Sequence, residues 1–265
     1  MTKIMYLNPV AHQMANDRIF AAMAQTYKNS ETEVHVVSLP NDVGRFSHIE
    51  YRSYEGLVTA GIIRATRQAA QEGFDALVIG CFYDTALSEA REVSGEMFVT
   101  APCAASCEIA ASLSNRFGII VGRRKWVHQM QSTVNALGYG GQVSGFYQVG
   151  LGVNAFHKDR QETEKRLLAA GAHAVSRDFA EALVLGCTME IGFYQQLETK
   201  LGIPVIDPSI AALKRAEYGA ALRQSCGWKP SRKWSCEAPP EAEIAHIGAL
   251  DTGEAFGGRI IVGAG

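Results

Sequence analysis

No stretch of this sequence approaches the roughly 20 consecutive apolar residues that a membrane-spanning helix needs. Residues 1–9 are too short and too soon broken by Asn8-Pro9 to read as a secretory signal. An excess of charge of one sign is also missing. Against 25 Lys and Arg stand 27 Asp and Glu, a net charge of −2, and the cations are scattered, which leaves no basic face for nucleic acid and no cluster for a membrane surface. These absences predict a cytoplasmic protein whose partner is a small molecule. Paired metal-ligand spacing is lacking too. The six cysteines stand at 81, 103, 107, 187, 226 and 236, and Cys103 and Cys107 have no second close pair to complete a tetrahedral zinc site. Cys226 and Cys236 have only His246 near them in sequence, so no metal is expected there either. In a reducing compartment all six read as mostly free thiols.

What the chain does have is a repeat. Ala76-Leu77-Val78-Ile79-Gly80-Cys81 returns as Ala182-Leu183-Val184-Leu185-Gly186-Cys187. Both runs are short, wholly apolar and rich in valine, isoleucine and leucine, as a strand covered on both faces of a parallel sheet reads. The glycine permits a sharp turn, and the cysteine then lies at the carboxyl end of the strand, where open α/β sheets bind ligands. At 265 residues the chain suits one large domain or two smaller ones; the repeat favours two.

The rest of the chain supports a duplication. Residues 3–7 form a first strand ended by Asn8-Pro9, since proline cannot continue a central ladder. Residues 16–27 carry Ile19, Phe20 and Met23 at helical spacing, and residues 33–39 alternate as a second strand. A polar loop over 40–54 leads to a helix over 56–72, then the first Gly-Cys strand, with a helix opening directly at Cys81. A strand over 97–101 and a small-residue helix over 102–113 follow. The second half repeats the order: strand 116–122, helix 125–137, strand 143–151, amphipathic helix 159–174, the second Gly-Cys strand, helix 188–201 and strand 203–207. From Ser225 the composition shifts to a tail in which Arg259-Ile260-Ile261-Val262 reads as one more strand, and in which Trp228 and Trp234 suit a cleft cap or a subunit contact. The expected architecture is α/β, with two pseudo-symmetric lobes, each a parallel-type sheet flanked by helices. Residues 1–100 with 206–265 make the first lobe and its C-terminal tail, and residues 101–205 the second; the active site falls in the cleft between lobes.

Two thiols flanking one cleft suit proton movement between the faces of a carbon. A thiol titrates near about 8.5 and lower at a helix N-terminus, where this reading places both cysteines. One thiolate removes a carbon-bound proton, and the opposite thiol returns one. The amides of Phe82 and Tyr83, or of Thr188 and Met189, then hold the developing enolate oxygen. The plainer alternative is that Cys81 and Cys187 are small buried hydrophobes, but matched positions at two strand ends favour chemistry. Cys103 and Cys107, four apart on one helical face, read as packing. His12, in the loop after the first strand, either donates to a substrate carbonyl or is a solvated loop histidine.

Gly80-Cys81-Phe82-Tyr83-Asp84-Thr85-Ala86-Leu87 resembles the first cysteine motif of the aspartate/glutamate/hydantoin racemase superfamily, and Leu185-Gly186-Cys187-Thr188-Met189 resembles its second. The hydantoin and allantoin racemase branch is the more similar one: Asn8-Pro9 matches its first strand end, and Ser47-His48-Ile49-Glu50 with Tyr54-Glu55 is a looser version of its Ser-Ile-Glu loop. The resemblance covers roughly residues 3 to 215. It implies a cofactor-independent fold of two pseudo-symmetric lobes, Cys81 and Cys187 as catalytic acid and base, a substrate pocket including Asn8, Phe82 and Thr188, and a homo-oligomer. Pro9, His12, Tyr83 and Met189 adjoin those positions and are expected to bind substrate. Glu108 stands where the family has a glutamate, and is otherwise a charge near a helix N-terminus.

The departures bear on substrate. Val10-Ala11-His12 replaces the family's Asn-Thr-Ser, and Asp84-Thr85-Ala86 its Asp-Pro-Gly, changes that speak against allantoin or a simple hydantoin. Cys81-Phe82-Tyr83 and Cys187-Thr188-Met189 differ from the Cys-Asn-Thr and Cys-Thr-His of the amino-acid racemases, which speaks against free glutamate or aspartate. The expected function is racemisation or epimerisation of a cyclic amide such as a 5-substituted hydantoin. Two alternatives stay open within the fold: an isomerase using one cysteine as nucleophile, or a decarboxylase needing one proton donor. A non-catalytic small-molecule binding protein would leave the matched thiols without a purpose.

Overall fold

The computed structural model describes residues 1–11, 13–250 and 253–265. Among them the elements run β1 (Thr2–Ala11), α1 (Met14–Tyr27), β2 (Thr32–Leu39), α2 (Arg52–Gln71), β3 (Ala76–Ile79), α3 (Leu87–Val93), β4 (Phe98–Thr100) and α4 (Pro102–Leu113). The second series is β5 (Phe117–Val121), α5 (Arg124–Ala136), β6 (Val143–Gln148), α6 (Arg160–Asp178), β7 (Ala182–Leu185), α7 (Tyr194–Leu201), β8 (Val205–Ile206) and α8 (Pro208–Cys226). The tail adds α9 (Glu241–Ile247) and β9 (Gly258–Val262). None of these helices is long and apolar enough to cross a membrane.

The chain forms two compact units. One comprises Met1–Gly80, Thr85–Ala101 and Leu213–Gly265, and the other Cys81–Asp84 and Pro102–Ala212. The first holds a sheet ordered β4-β3-β1-β2-β9, the second a sheet ordered β6-β5-β7-β8. Setting β9 aside, each sheet places its strands in the order second, first, third, fourth, with every pair parallel. The duplication read from the two Gly-Cys runs thus extends to the topology of whole sheets. β3 and β7 are buried along their entire length, which is why both lack any polar alternation. The tail strand is present as read from the sequence: β9 lies antiparallel on β2, with Val36 opposite Ile260.

Three elements differ from expectation. β1 does not stop at Asn8-Pro9 but runs on to Ala11, and the ladder with β2 slips between Asn8 and Ala11; the slip accommodates a residue that cannot donate to the ladder. No α-helix begins at either cysteine. After Cys81 the chain turns through Asp84 and Ala86, both at positive φ (54° and 56°), and α3 starts only at Leu87. After Cys187 a single 3₁₀ turn, Thr188–Glu190, is broken from α7 by Gly192 at φ 82°. The third difference is α8, a 19-residue helix absent from the order expected above, because its body shows no amphipathic pattern. Ala211, Ala212, Leu213, Ala216 and Ala220 are buried on successive sides of it, so no polar stripe alternates with an apolar one.

Candidate active site

The two Gly-Cys turns are built alike. Gly80 N–H donates to Leu7 O at 2.7 Å, and Gly186 N–H donates to Ile120 O at 2.7 Å, each extending the ladder by one bond to the neighbouring central strand. A Cβ on Gly80 would stand 2.9 Å from Leu7 O, and one on Gly186 would stand 2.5 Å from Ile120 O. Only glycine allows so close an approach of two backbones. Each turn then closes three residues on: Asp84 N–H donates to Cys81 O at 3.0 Å, and Glu190 N–H to Cys187 O at 2.9 Å.

The turns part at their closing side chains. The two carboxylate oxygens of Asp84 accept from the backbone N–H groups of Cys103 and Ala104, each at 2.8 Å, so Asp84 caps the N-terminus of α4. Thr85 Oγ1 donates to Glu55 on α2 at 3.0 Å. Glu190 is fully buried, and no hydrogen bond closes on either carboxyl oxygen. Burial holds that carboxyl well above the usual range; the amides of Cys187 and Gly186 offset this in part, and nearby Asp207 adds to it. Burial pushes Asp207 itself up to about 6, against amide bonds from Gly192 at 3.1 Å, Ser209 at 3.0 Å and Ile210 at 3.3 Å.

Further groups brace the Cys187 turn. Ser209 Oγ donates to Thr188 O at 3.3 Å. His157 bonds the backbone of Met189, yet burial, the larger influence, keeps its imidazole below the ordinary value. Its ring lies 5.8 Å from that of Phe193, over which Arg160 stacks at 4.4 Å while donating to Gly192 O at 2.7 Å.

Of the residues singled out from the sequence, Cys81 is partly exposed and Cys187 is buried. Phe82, Tyr83 and Thr188 are buried within the two turns, and Met189 is half-buried. Asn8 is buried at the carboxyl end of β1, where Nδ2 donates to Asp17 Oδ1 at 3.0 Å, while Ser38 Oγ on β2 donates to Asp17 Oδ2 at 2.6 Å. Asn8 and Ser38 are register partners, so one buried carboxylate on α1 fixes the side chains at two adjacent strand ends. Pro9 follows at the slipped register. His12 lies outside the described residues. Glu108 is in the second turn of α4 rather than at its N-terminus, so a helix-end role does not apply to it. Cys103 and Cys107 are wholly buried. A hydrogen bond with Cys107 and burial together push the Cys103 thiol up, with Asp84 and Cys81 contributing.

Glu190, Asp207 and His157 are the functional candidates that the sequence reading missed. Asp207-Pro208-Ser209 carried a usable signal, an N-cap acid followed by proline at the first helical position. For Glu190 and His157 the sequence holds none, because each takes its meaning from burial. Among the described residues no group of three or more His, Cys, Asp and Glu is placed to hold a metal ion.

The family model for Asp/Glu/Hydantoin racemase matches residues 4–216. The chain is 31% identical over 249 residues to a hydantoin racemase of Pseudomonas sp. (strain NS671), covering 94% of this chain and 96% of the relative. It is 31% identical over 245 residues to a hydantoin racemase of Paenarthrobacter aurescens, covering 91% and 99%. The solved allantoin racemase from Klebsiella pneumoniae superposes with a TM-score of 0.82 at 24% identity, covering 91% of this chain and 95% of that one, and so shares the fold.

Proposed function

Because the chain belongs to the Asp/Glu/hydantoin racemase family, it is a racemase, and we propose that it inverts the acidic ring carbon of a cyclic amide, a 5-substituted hydantoin or a close analogue, with Cys81 and Cys187 as the acid–base pair. The observation that carries this reading is the matched construction of the two turns, each presenting a cysteine immediately beyond the carboxyl end of a buried parallel strand. Two identical nucleophile-type side chains at equivalent strand ends fit a reaction that is itself symmetric, since D and L substrates exchange roles of acid and base.

In the forward direction one thiolate takes the proton from the ring carbon, leaving an enolate. The other thiol delivers a proton to the opposite face and becomes the thiolate that starts the reverse cycle, so charge and protons balance without a cofactor. General acid–base help of this kind contributes about 10²–10⁴-fold. The enolate oxygen is held by the amides of Phe82 and Tyr83 or of Thr188 and Met189, which follow the two cysteines in the turns. Neither cysteine heads an α-helix, so these local amides take the place that a helix dipole was expected to fill. Asn8 and Pro9 contribute to the substrate pocket, with Asn8 oriented by Asp17. A decarboxylase or a one-nucleophile isomerase would leave one of the two matched thiols idle. We place the enzyme in the cytoplasm as a homo-oligomer.

The test is a substrate panel. Single enantiomers of 5-substituted hydantoins, allantoin, glutamate and aspartate are followed by chiral chromatography, with ring-carbon deuterium uptake read by proton NMR. Racemisation with uptake on the hydantoins and none on the free amino acids is expected. No inversion of any hydantoin, or a product of different mass, overturns the reading.

A further inference from the structure

The buried acid under the Cys187 turn is the feature that the mechanism leaves unused. Glu190 stands three residues after Cys187 and its amide closes the turn. Its side chain is sealed from solvent and neither oxygen meets a partner in good hydrogen-bond geometry; the amides of Cys187 and Gly186 stand near enough to offset the burial only in part. A methionine or leucine would fill such a space without the cost of stranding a polar group, so packing alone does not account for a carboxyl there. The equivalent position in the other turn is also acidic, but Asp84 meets two helix amides.

We infer that Glu190 is a positioning residue for Cys187: a buried acid that closes the turn beneath the thiol, and whose ionisation opposes the thiolate that Cys187 must form. The inference rests on the two-cysteine reading above. The groups facing this region divide the charge accordingly. Asp207, approaching from β8 and α8, takes three amide bonds and is the site where a single negative charge is best held. His157, from the segment before α6, bonds Met189, and its burial lowers its affinity for a proton. Arg160 is engaged with Gly192 O and the face of Phe193. Two adjacent carboxyls in such a setting do not ionise together, so the proton stays on Glu190 while Asp207 carries the charge. An ionised Glu190 would oppose a thiolate a few residues away in a water-poor setting, where like charges repel strongly.

The test reads thiol reactivity rather than turnover, so it stands whether or not hydantoins prove to be the substrate. Short pulses of iodoacetamide on the folded full-length protein between pH 6 and pH 10 are quantified by peptide mass spectrometry at Cys187 and at Cys81, the latter as internal control. Glu190→Gln keeps the shape of the neutral acid and cannot ionise. It should track wild type at Cys187 in the lower range and exceed it by about tenfold at the upper end, where wild type acquires the second charge; the Cys81 curves should coincide. Should Glu190→Gln fail to fold, Asp207→Asn provides the converse: it removes a charge that adds to the effect of burial in keeping Glu190 protonated, so the lag at Cys187 should begin at lower pH. Coincident Cys187 curves, an equal shift at Cys81, an unmoved lag in Asp207→Asn, or a Cys187 that no pH makes reactive would each overturn the inference.

Discussion

In the Cys81 turn the closing residue is Asp84, whose carboxylate caps a helix through two bonds of 2.8 Å; in the Cys187 turn it is Glu190, whose carboxyl is fully buried with none. Everything before that residue is shared: an apolar buried strand, a glycine pressed against a carbonyl of the central strand, a cysteine, and a closing bond back to the cysteine carbonyl. Duplication has preserved the backbone that presents each thiol and let the electrostatic surroundings diverge. The two thiols are equivalent in placement and unequal in environment, which is what an enzyme needs if it holds one as acid and one as base in its resting state.

The comparison can be broken at the glycine. Gly186→Ala puts a Cβ 2.5 Å from the carbonyl of Ile120, where no flexible side chain can yield, while Gly80→Ala meets Tyr6 Cε1 at 2.8 Å and Leu7 O at 2.9 Å. Urea unfolding should show a loss of about 2–3 kcal/mol for Gly186→Ala and about 1–2 for Gly80→Ala. Equal and negligible losses would mean that the close approach is not what selects glycine.

It can be sharpened at the acids. Asp84→Ala removes the cap of α4 and should cost about 1–2 kcal/mol in the same assay, with Asp84→Asn recovering part of it. The smallest effect expected is a pH dependence. Asp207 has a folded-state pKa of about 6 against an ordinary 3.8. The folded state therefore binds this proton more tightly than the unfolded chain does. Its stabilisation is complete below pH 3.8 and is lost as pH rises through about 6; Glu190 acts in the same direction. Between pH 5 and pH 7 Asp207 alone should lower stability by about 1 kcal/mol. Thermal melts of wild type and Asp207→Asn should differ in slope by that amount, and parallel profiles would count against the assignment.

The strands and the cysteines were legible because they depend on local pattern. Val78 and Val184 sit in runs too apolar for an exposed strand, and α4 begins at Pro102 as proline at a first helical position predicts. Membership of the hydantoin racemase group, read from the two cysteine motifs, stands with the family match. What was not legible depends on tertiary context. Pro9 reads as a terminator, yet a slipped register carries β1 to Ala11. Phe82 to Leu87 has helix-compatible composition, but the turn adopts positive φ at Asp84 and Ala86 to deliver the Asp84 carboxylate to α4. Glu190 is an unremarkable acid in sequence, and acquires its significance only from complete burial.

The most direct test of the account follows deuterium entry at the ring carbon of each separate hydantoin enantiomer in D₂O with Cys81→Ser and Cys187→Ser. Both variants should racemise at least about a thousandfold more slowly than wild type. Each should still exchange the ring proton of one enantiomer only, and the two variants should exchange opposite enantiomers. Exchange of the same enantiomer by both, or racemisation that survives either substitution, would contradict a two-thiol mechanism.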